Sequence, residues 1–262
     1  MTDFVTTQQG DRIAYDFRGE GPGLIFVAGA GPYRAVDSIT TETAERAADQ
    51  GLTTIVYDRI GRGESPAEGP ITLDREFAAL SALIEVAGGK AVLCGHSSGC
   101  SISLAAASAG LPVAGLALWE APLAPGNAEW AAEVIRRLDA NELLGALEYY
   151  MKDMPPEWLE GARRSPAFPQ MVAQVVAQRP DAESLAWADS APYSEVFSGI
   201  RIPTVAMVGA QTFPLMHEAA DAIVGAISGA TQLVMPGANH SWEPVPMAAE
   251  LVAFTKAAFA AA

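Results

Sequence analysis

Basic residues are scarce in this chain: 16 Lys and Arg stand against 31 Asp and Glu, a formal charge of −15 at neutral pH. A field of that sign repels nucleic-acid phosphates and anionic lipid, so neither a nucleic acid nor a membrane is expected as a partner. Cysteine is scarcer still, with only Cys94 and Cys100. Both thiols fall in apolar surroundings that suit small packed side chains, which argues against a disulfide framework or a cysteine metal site. The start, Met1-Thr2-Asp3-Phe4-Val5-Thr6, has neither a basic segment nor a long apolar one. No secretory signal is read there, and a reduced cytoplasm is the expected location. Residues 91–119 lack Asp, Glu, Lys and Arg. Gly95, Gly99, Gly110, Pro112 and Gly115 break that run, which therefore reads as buried strand, helix and strand in place of a membrane span.

What is present is a rhythm. Segments 4–7 and 12–17 read as a hairpin around Gln9-Gly10-Asp11. Apolar runs then recur at 24–28, 54–57, 91–94, 116–119, 204–208 and 232–235, with amphipathic helical patterns at 40–50, 73–87 and 246–260. Alternation of this kind predicts an α/β domain whose mostly parallel sheet of eight strands carries helices on both faces. About 121–200 breaks the alternation with aromatic, methionine and proline residues and no strand pattern, which predicts a helical lid inserted between strands six and seven. The expected division is thus 1–120 with 201–262 as core and 121–200 as lid. A length of 262 residues supports a core of that size without staples.

The densest chemistry lies at Gly95-His96-Ser97-Ser98-Gly99, which follows an apolar run and opens a small-residue helical pattern. Glycines two residues before and after a serine, between strand and helix, are the signature of a nucleophile elbow. Ser97 is therefore the expected nucleophile. A serine needs a base, and the base an orienting carboxylate. Of the three histidines, His96 lies inside the elbow as a neighbour of the nucleophile, and His217 sits in a helical pattern as a surface or lid-contact residue. His240, in Pro236-Gly237-Ala238-Asn239-His240, follows the last apolar run, at the carboxyl end of a strand where a doubly wound sheet gathers its chemistry. It is the expected general base.

With these residues in place the chain resembles the α/β-hydrolase superfamily over nearly its whole length outside the insert. The elbow matches, Asp58-Arg59-Ile60-Gly61-Arg62-Gly63-Glu64-Ser65 is similar to that family's strand-four turn, and the histidine comes last. Most members carry the acid after strand seven, but Val208-Gly209-Ala210-Gln211-Thr212-Phe213-Pro214 holds no carboxylate, and Thr212 stands where an Asp is expected. Some members carry it after strand six, where this chain has Glu120, preferred here over Glu218 and Glu243. Asp58 is read as a residue that holds its turn by hydrogen bonds. Together, Ser97, Glu120, His240 and the carboxylate-free strand-seven loop resemble the branch of hydrolases of resorcylic lactones such as zearalenone.

The resemblance implies a serine hydrolase acting on an ester or lactone of an apolar small molecule, with no metal and no cofactor. Backbone N–H groups of Ala30 and Ser98 are the expected oxyanion donors; Ala28-Gly29 occupies the place of the usual His-Gly pair. Gly29, Trp130, Met154, Trp158, Trp187 and Phe213 are the expected pocket residues. Carbon–carbon bond hydrolysis, perhydrolysis and a non-catalytic receptor on the same fold are the competing readings, and a homodimer is left open. Gly29-Ala30-Gly31 lacks the third glycine of a dinucleotide fingerprint.

Overall fold

The computed structural model describes residues 2–261. Its hairpin consists of β1 (Asp3–Thr6) and β2 (Arg12–Arg18), paired antiparallel from Asp3↔Tyr15 to Thr6↔Arg12. The apolar runs become β3 (Gly23–Val27), β4 (Thr53–Tyr57), β5 (Ala91–His96), β6 (Val113–Trp119), β7 (Thr204–Gln211) and β8 (Thr231–Ala238). A ninth strand, β9 (Ser241–Trp242), was not legible as a run because it is two residues long. The sheet order is β1-β2-β4-β3-β5-β6-β7-β8-β9, parallel from β4 through β8 and antiparallel at each end.

Side chains alternate across the sheet, as strand geometry requires. Ile25, Ile55, Leu93 and Leu116 enter one buried cluster, whereas Leu24, Phe26, Val92 and Trp119 enter another on the opposite face. The first cluster is covered by α2 (Leu73–Val86) and α3 (Ser98–Ser108), the second by α1 (Ser38–Ala48) and the C-terminal helix Pro244–Ala260. Asp37 caps α1, its carboxylate accepting the Thr40 N–H at 3.0 Å. The charge-free stretch 91–119 is strand, helix and strand, all heavily buried. No helix among the described residues is long and apolar enough to cross a membrane.

Between β6 and β7 the chain is helical: α4 (Asn127–Asp139), α5 (Leu143–Tyr150), α6 (Pro156–Arg164), α7 (Phe168–Gln174), a 3-10 turn at Val175–Gln178, α8 (Arg179–Ala188) and α9 (Tyr193–Val196). These helices build small cores of their own around Val134, Tyr150 and Ala182, and around Ala146, Leu147 and Val175. The insert is not detached from the sheet domain, because α8 packs against both α3 and α2. After β7 comes α10 (Pro214–Ala226), and the C-terminal helix is α11.

Candidate active site

Ser97 links β5 directly to α3 with φ 54° and ψ −129°, a conformation that costs an L residue strain of order 1–3 kcal/mol. Both flanking glycines are required by close approach. A Cβ on Gly95 would lie 2.7 Å from Cys100 Cα, and one on Gly99 would lie 2.1 Å from the Val27 carbonyl oxygen. The Ser97 N–H donates to the Trp119 carbonyl at 2.9 Å, tying the elbow to the end of β6.

Glu120 follows Trp119 with φ 49°, again in the left-handed region, and is buried to 1% exposure. One carboxylate oxygen meets His240 Nδ1 at 2.5 Å; the other accepts the Gly209 N–H of β7 at 2.9 Å. Strand seven thus supplies an amide to the Glu120 carboxylate and no carboxylate of its own. Thr212, where a carboxylate is usual, faces Glu120 with a buried and otherwise unpartnered hydroxyl. Burial alone would raise the Glu120 pKa. The His240 hydrogen bond, the Thr212 hydroxyl and the Gly209 amide outweigh it and hold the carboxyl below its ordinary value. Glu218 and Glu243 are exposed on α10 and at the start of α11.

His240 lies in a two-residue hairpin between β8 and β9, where Ala238 pairs with Ser241. Asn239 and His240 have φ of 53° and 67°, as both central residues of a type I′ turn require. His96 closes this turn: its Nε2–H donates to the His240 carbonyl at 2.8 Å, and the two rings stand 4.9 Å apart. Burial, with the His240 ring adding to it, pushes the His96 pKa down to about 4. His96 is therefore a neutral support of the turn, and His217 is exposed on α10. Ser97 Oγ makes no hydrogen bond to His240 among the described residues. Such contacts are commonly loose before a substrate seats.

Gly29 must be glycine because a Cβ there would come within 2.8 Å of Ser97 Cβ and of the His96 carbonyl oxygen. That approach brings the loop after β3 up against Ser97. Ser98 is the first residue of α3, so its N–H has no intrahelical acceptor. Neither amide donates to another described residue.

A cavity of about 590 Å³ opens beside Ala30, His96 and His240, a volume typical of small-molecule sites. Ala30, His96 and His240 line its floor; Leu147, Trp158 and Met171 come from the insert. Trp158 is the one aromatic of the expected pocket that reaches the wall, its ring 6.5 Å from His240. Phe213 stands behind it, edge-on at 6.1 Å. Trp130 packs on Tyr150 at 4.9 Å and shares the insert's core with Met154. Trp187 faces Phe197 at 5.7 Å in the main core. Trp130 and Met154 thus serve the insert's own packing and Trp187 the main core, and none of the three borders the cavity. Gly29 lies just behind Ala30.

Three functional candidates escaped sequence reasoning. Arg59 and Arg62, in the turn after β4, converge on Asp181 at the start of α8, with contacts of 2.7 Å and 3.1 Å in a buried cluster. Two arginines so close in a turn were the available signal; their partner lies over a hundred positions away. Asp58, by contrast, holds its turn as expected, accepting the Arg34 and Glu64 amides at 2.9 Å and 2.8 Å.

Comparison with known proteins bears on the fold and the family. A hydrolase from Sphaerobacter thermophilus is 31% identical, with 96% of this chain and 99% of that one covered and a TM-score of 0.79. An esterase from Thermogutta terrifontis (22% identity, 98% and 96% covered, TM-score 0.64) shares the fold. So does an enol-lactonase from Burkholderia xenovorans, at 16% identity, 98% and 100% coverage and a TM-score of 0.61. No curated protein sequence matches the chain. Residues 24–254 match the family described as "Alpha/beta hydrolase family". A strand-to-helix serine elbow, a histidine after the last parallel strand and this match have one meaning: the chain belongs to the alpha/beta hydrolase family.

Proposed function

We propose that this hydrolase cleaves a carboxylic ester or lactone of a neutral, largely apolar small molecule by way of an acyl-enzyme. Ser97 Oγ attacks the carbonyl carbon while His240 Nε2 takes its proton. The Ala30 and Ser98 amides receive the developing oxyanion, and Glu120 orients the imidazole and stabilises its cation. Collapse of the tetrahedral species expels the alcohol, which takes the proton from His240. Water, deprotonated by the same imidazole, then releases the acid and restores Ser97. The observation that carries this reading is the 2.5 Å contact between His240 Nδ1 and a buried Glu120, which leaves Nε2 as the free ring nitrogen.

The cavity supports a neutral substrate. Arg62 and Asp37 border it, but the guanidinium is committed to Asp181 and to the Gly29 and Ala177 carbonyls and the Asp37 carboxylate caps α1, so neither is the free counter-charge a charged substrate needs. Val36, Ile39, Leu147 and Met171 give apolar wall, and Gln170, Gln174 and Gln178 supply uncharged polar groups along one side. The lactone reading rests on the resemblance of the strand-six acid. In this account the helical insert is a cap that shields the imidazole with Trp158.

The test is turnover of short p-nitrophenyl esters and of an aromatic lactone. Ser97→Ala is expected to fold with an unchanged circular dichroism spectrum and to lose activity by about 10⁴-fold or more. Full activity in Ser97→Ala refutes the assignment. Reaction of Ser97 with a phosphonate in a protein that turns over no ester or lactone favours a receptor, and release of a carbon acid from a vinylogous diketone favours the carbon–carbon hydrolase reading.

A further inference from the structure

Both expected oxyanion donors are held by a single buried ion cluster that joins the sheet domain to the insert. The Gly29 carbonyl accepts from Arg62 Nη1 and, at 3.4 Å, from Arg59 Nη1, which also binds the Ala28 carbonyl at 3.1 Å. In a trans peptide the carbonyl and the following N–H point opposite ways. Guanidiniums gripping the Gly29 oxygen therefore turn the Ala30 N–H away from themselves, toward the cavity that Ala30 lines. On the other side, Ser98 Oγ donates to Asp181 Oδ1 at 2.6 Å, fixing the first residue of α3. Asp181 in turn receives Arg59 through both oxygens, at 2.7 Å and 3.1 Å, and Arg62 at 3.1 Å. Glu76 balances the second arginine at 2.9 Å from Arg59 Nε, so the cluster has two cations and two anions. Arg59, Glu76 and Asp181 are 0% exposed and Arg62 is 3% exposed.

Resting on the serine-hydrolase reading above, we propose that Arg62 and Asp181, with Arg59, are positioning residues that aim the Ala30 and Ser98 amides at the reacting carbonyl. They do the work of the histidine that Ala28 replaces, and because Asp181 belongs to α8, seating of the insert and assembly of the oxyanion site are one event. The electrostatics agree: burial would raise the Asp181 pKa, but the two arginines and the Ser98 hydroxyl hold it low, so the carboxylate stays ionised.

The experiment compares Arg62→Met, Arg62→Lys and Ser98→Ala with wild type on p-nitrophenyl acetate and on an aryl trifluoromethyl ketone. Ser97 Oγ adds to that ketone and hands its proton to His240, and the carbonyl electron pair becomes an alkoxide seated on the two amides. Arg62→Met leaves Asp181 paired with Arg59. It is expected to lose about a hundredfold in kcat with KM within about threefold, and the ketone Ki should rise in step with the loss of kcat/KM. Lysine should restore part of both, and Ser98→Ala should lose about tenfold in kcat with KM held. Leu52→Ala, which leaves a cavity in the core cluster on the other face of the sheet, just before the amino end of β4, is the control: it should lower Tm without moving the ketone Ki. Wild-type kcat and Ki in folded Arg62→Met overturn the proposal, as does a joint rise of KM and Ki, which marks Arg62 as ordinary substrate wall. If Arg62→Met does not fold, Ser98→Ala and Arg62→Lys decide it, and wild-type values in both overturn it. A wild-type protein whose Ser97 neither turns over ester nor adds the ketone defeats the serine-hydrolase reading instead.

Discussion

Ser97, Glu120 and His240 all have a positive φ, a region that an L side chain avoids, and only Asn141 and Asn239 join them among the described non-glycine residues. Such strain persists where surrounding contacts fix the backbone: the Trp119 carbonyl at Ser97, the Met207 carbonyl at Glu120 and the His96 ring at His240. Ser97→Gly is therefore expected to abolish turnover while raising Tm by roughly 2–4 °C, about 1 kcal/mol of relieved strain net of glycine's entropy. A Tm below wild type in thermal melts contradicts the strain argument. His96 makes a second prediction at this scale. Its folded pKa of about 4 lies below the ordinary 6.5, so between those values the unfolded chain binds the extra proton. The contribution of His96 is then full above pH 6.5 and is lost as pH falls toward 4, by at most about 3 kcal/mol. His96→Gln should flatten that acid limb in urea titrations across the range, and an equally steep limb in the variant counts against it.

At the scale of elements, the site depends on three strand ends meeting. Gly209 in β7 is a tight point beside the Glu120 carboxylate: a Cβ there would lie 3.0 Å from Glu120 Oε1 and 3.0 Å from the Gly237 carbonyl oxygen. Gly209→Ala should displace the carboxylate and lower kcat by about tenfold to a hundredfold with little change in KM, measured on the same esters. Unchanged kcat would show that the acid has slack. The alternating strands and Glu120's place at the end of β6 were legible because they depend on local periodicity and on the absence of any other carboxylate at a neighbouring strand end. Strand β9 was not: a two-residue strand has no period, and the positive φ of His240 is imposed by His96 from across the sheet. The apolar residues of the insert were legible as a set but not individually, since Trp130, Met154 and Trp187 have the same composition signal as Trp158 and differ only in tertiary packing.

Over the whole molecule, the arrangement makes chemistry a property of the assembled fold. Residue 97 lies on one strand end, 120 on the next and 240 beyond two more, while the hydroxyl of Ser98 donates to an aspartate of the insert. The Arg59–Asp181 pairing spans 122 positions, and no local pattern announces it. Such contacts belong to the fold as a unit, which is why sequence reading reached the family and the residues now proposed as a triad but missed the ion cluster around them. The net charge of −15 bears on solubility and on which partners are repelled, not on the site, whose buried ion cluster is balanced.

The most direct test of the central claim is intact-protein and peptide mass spectrometry after treatment with a p-nitrophenyl alkylphosphonate. The account predicts one adduct, on Ser97, formed at least about a hundredfold more slowly in His240→Ala and Glu120→Gln. An adduct on another residue, or labelling of Ser97 at the wild-type rate without His240, would contradict it.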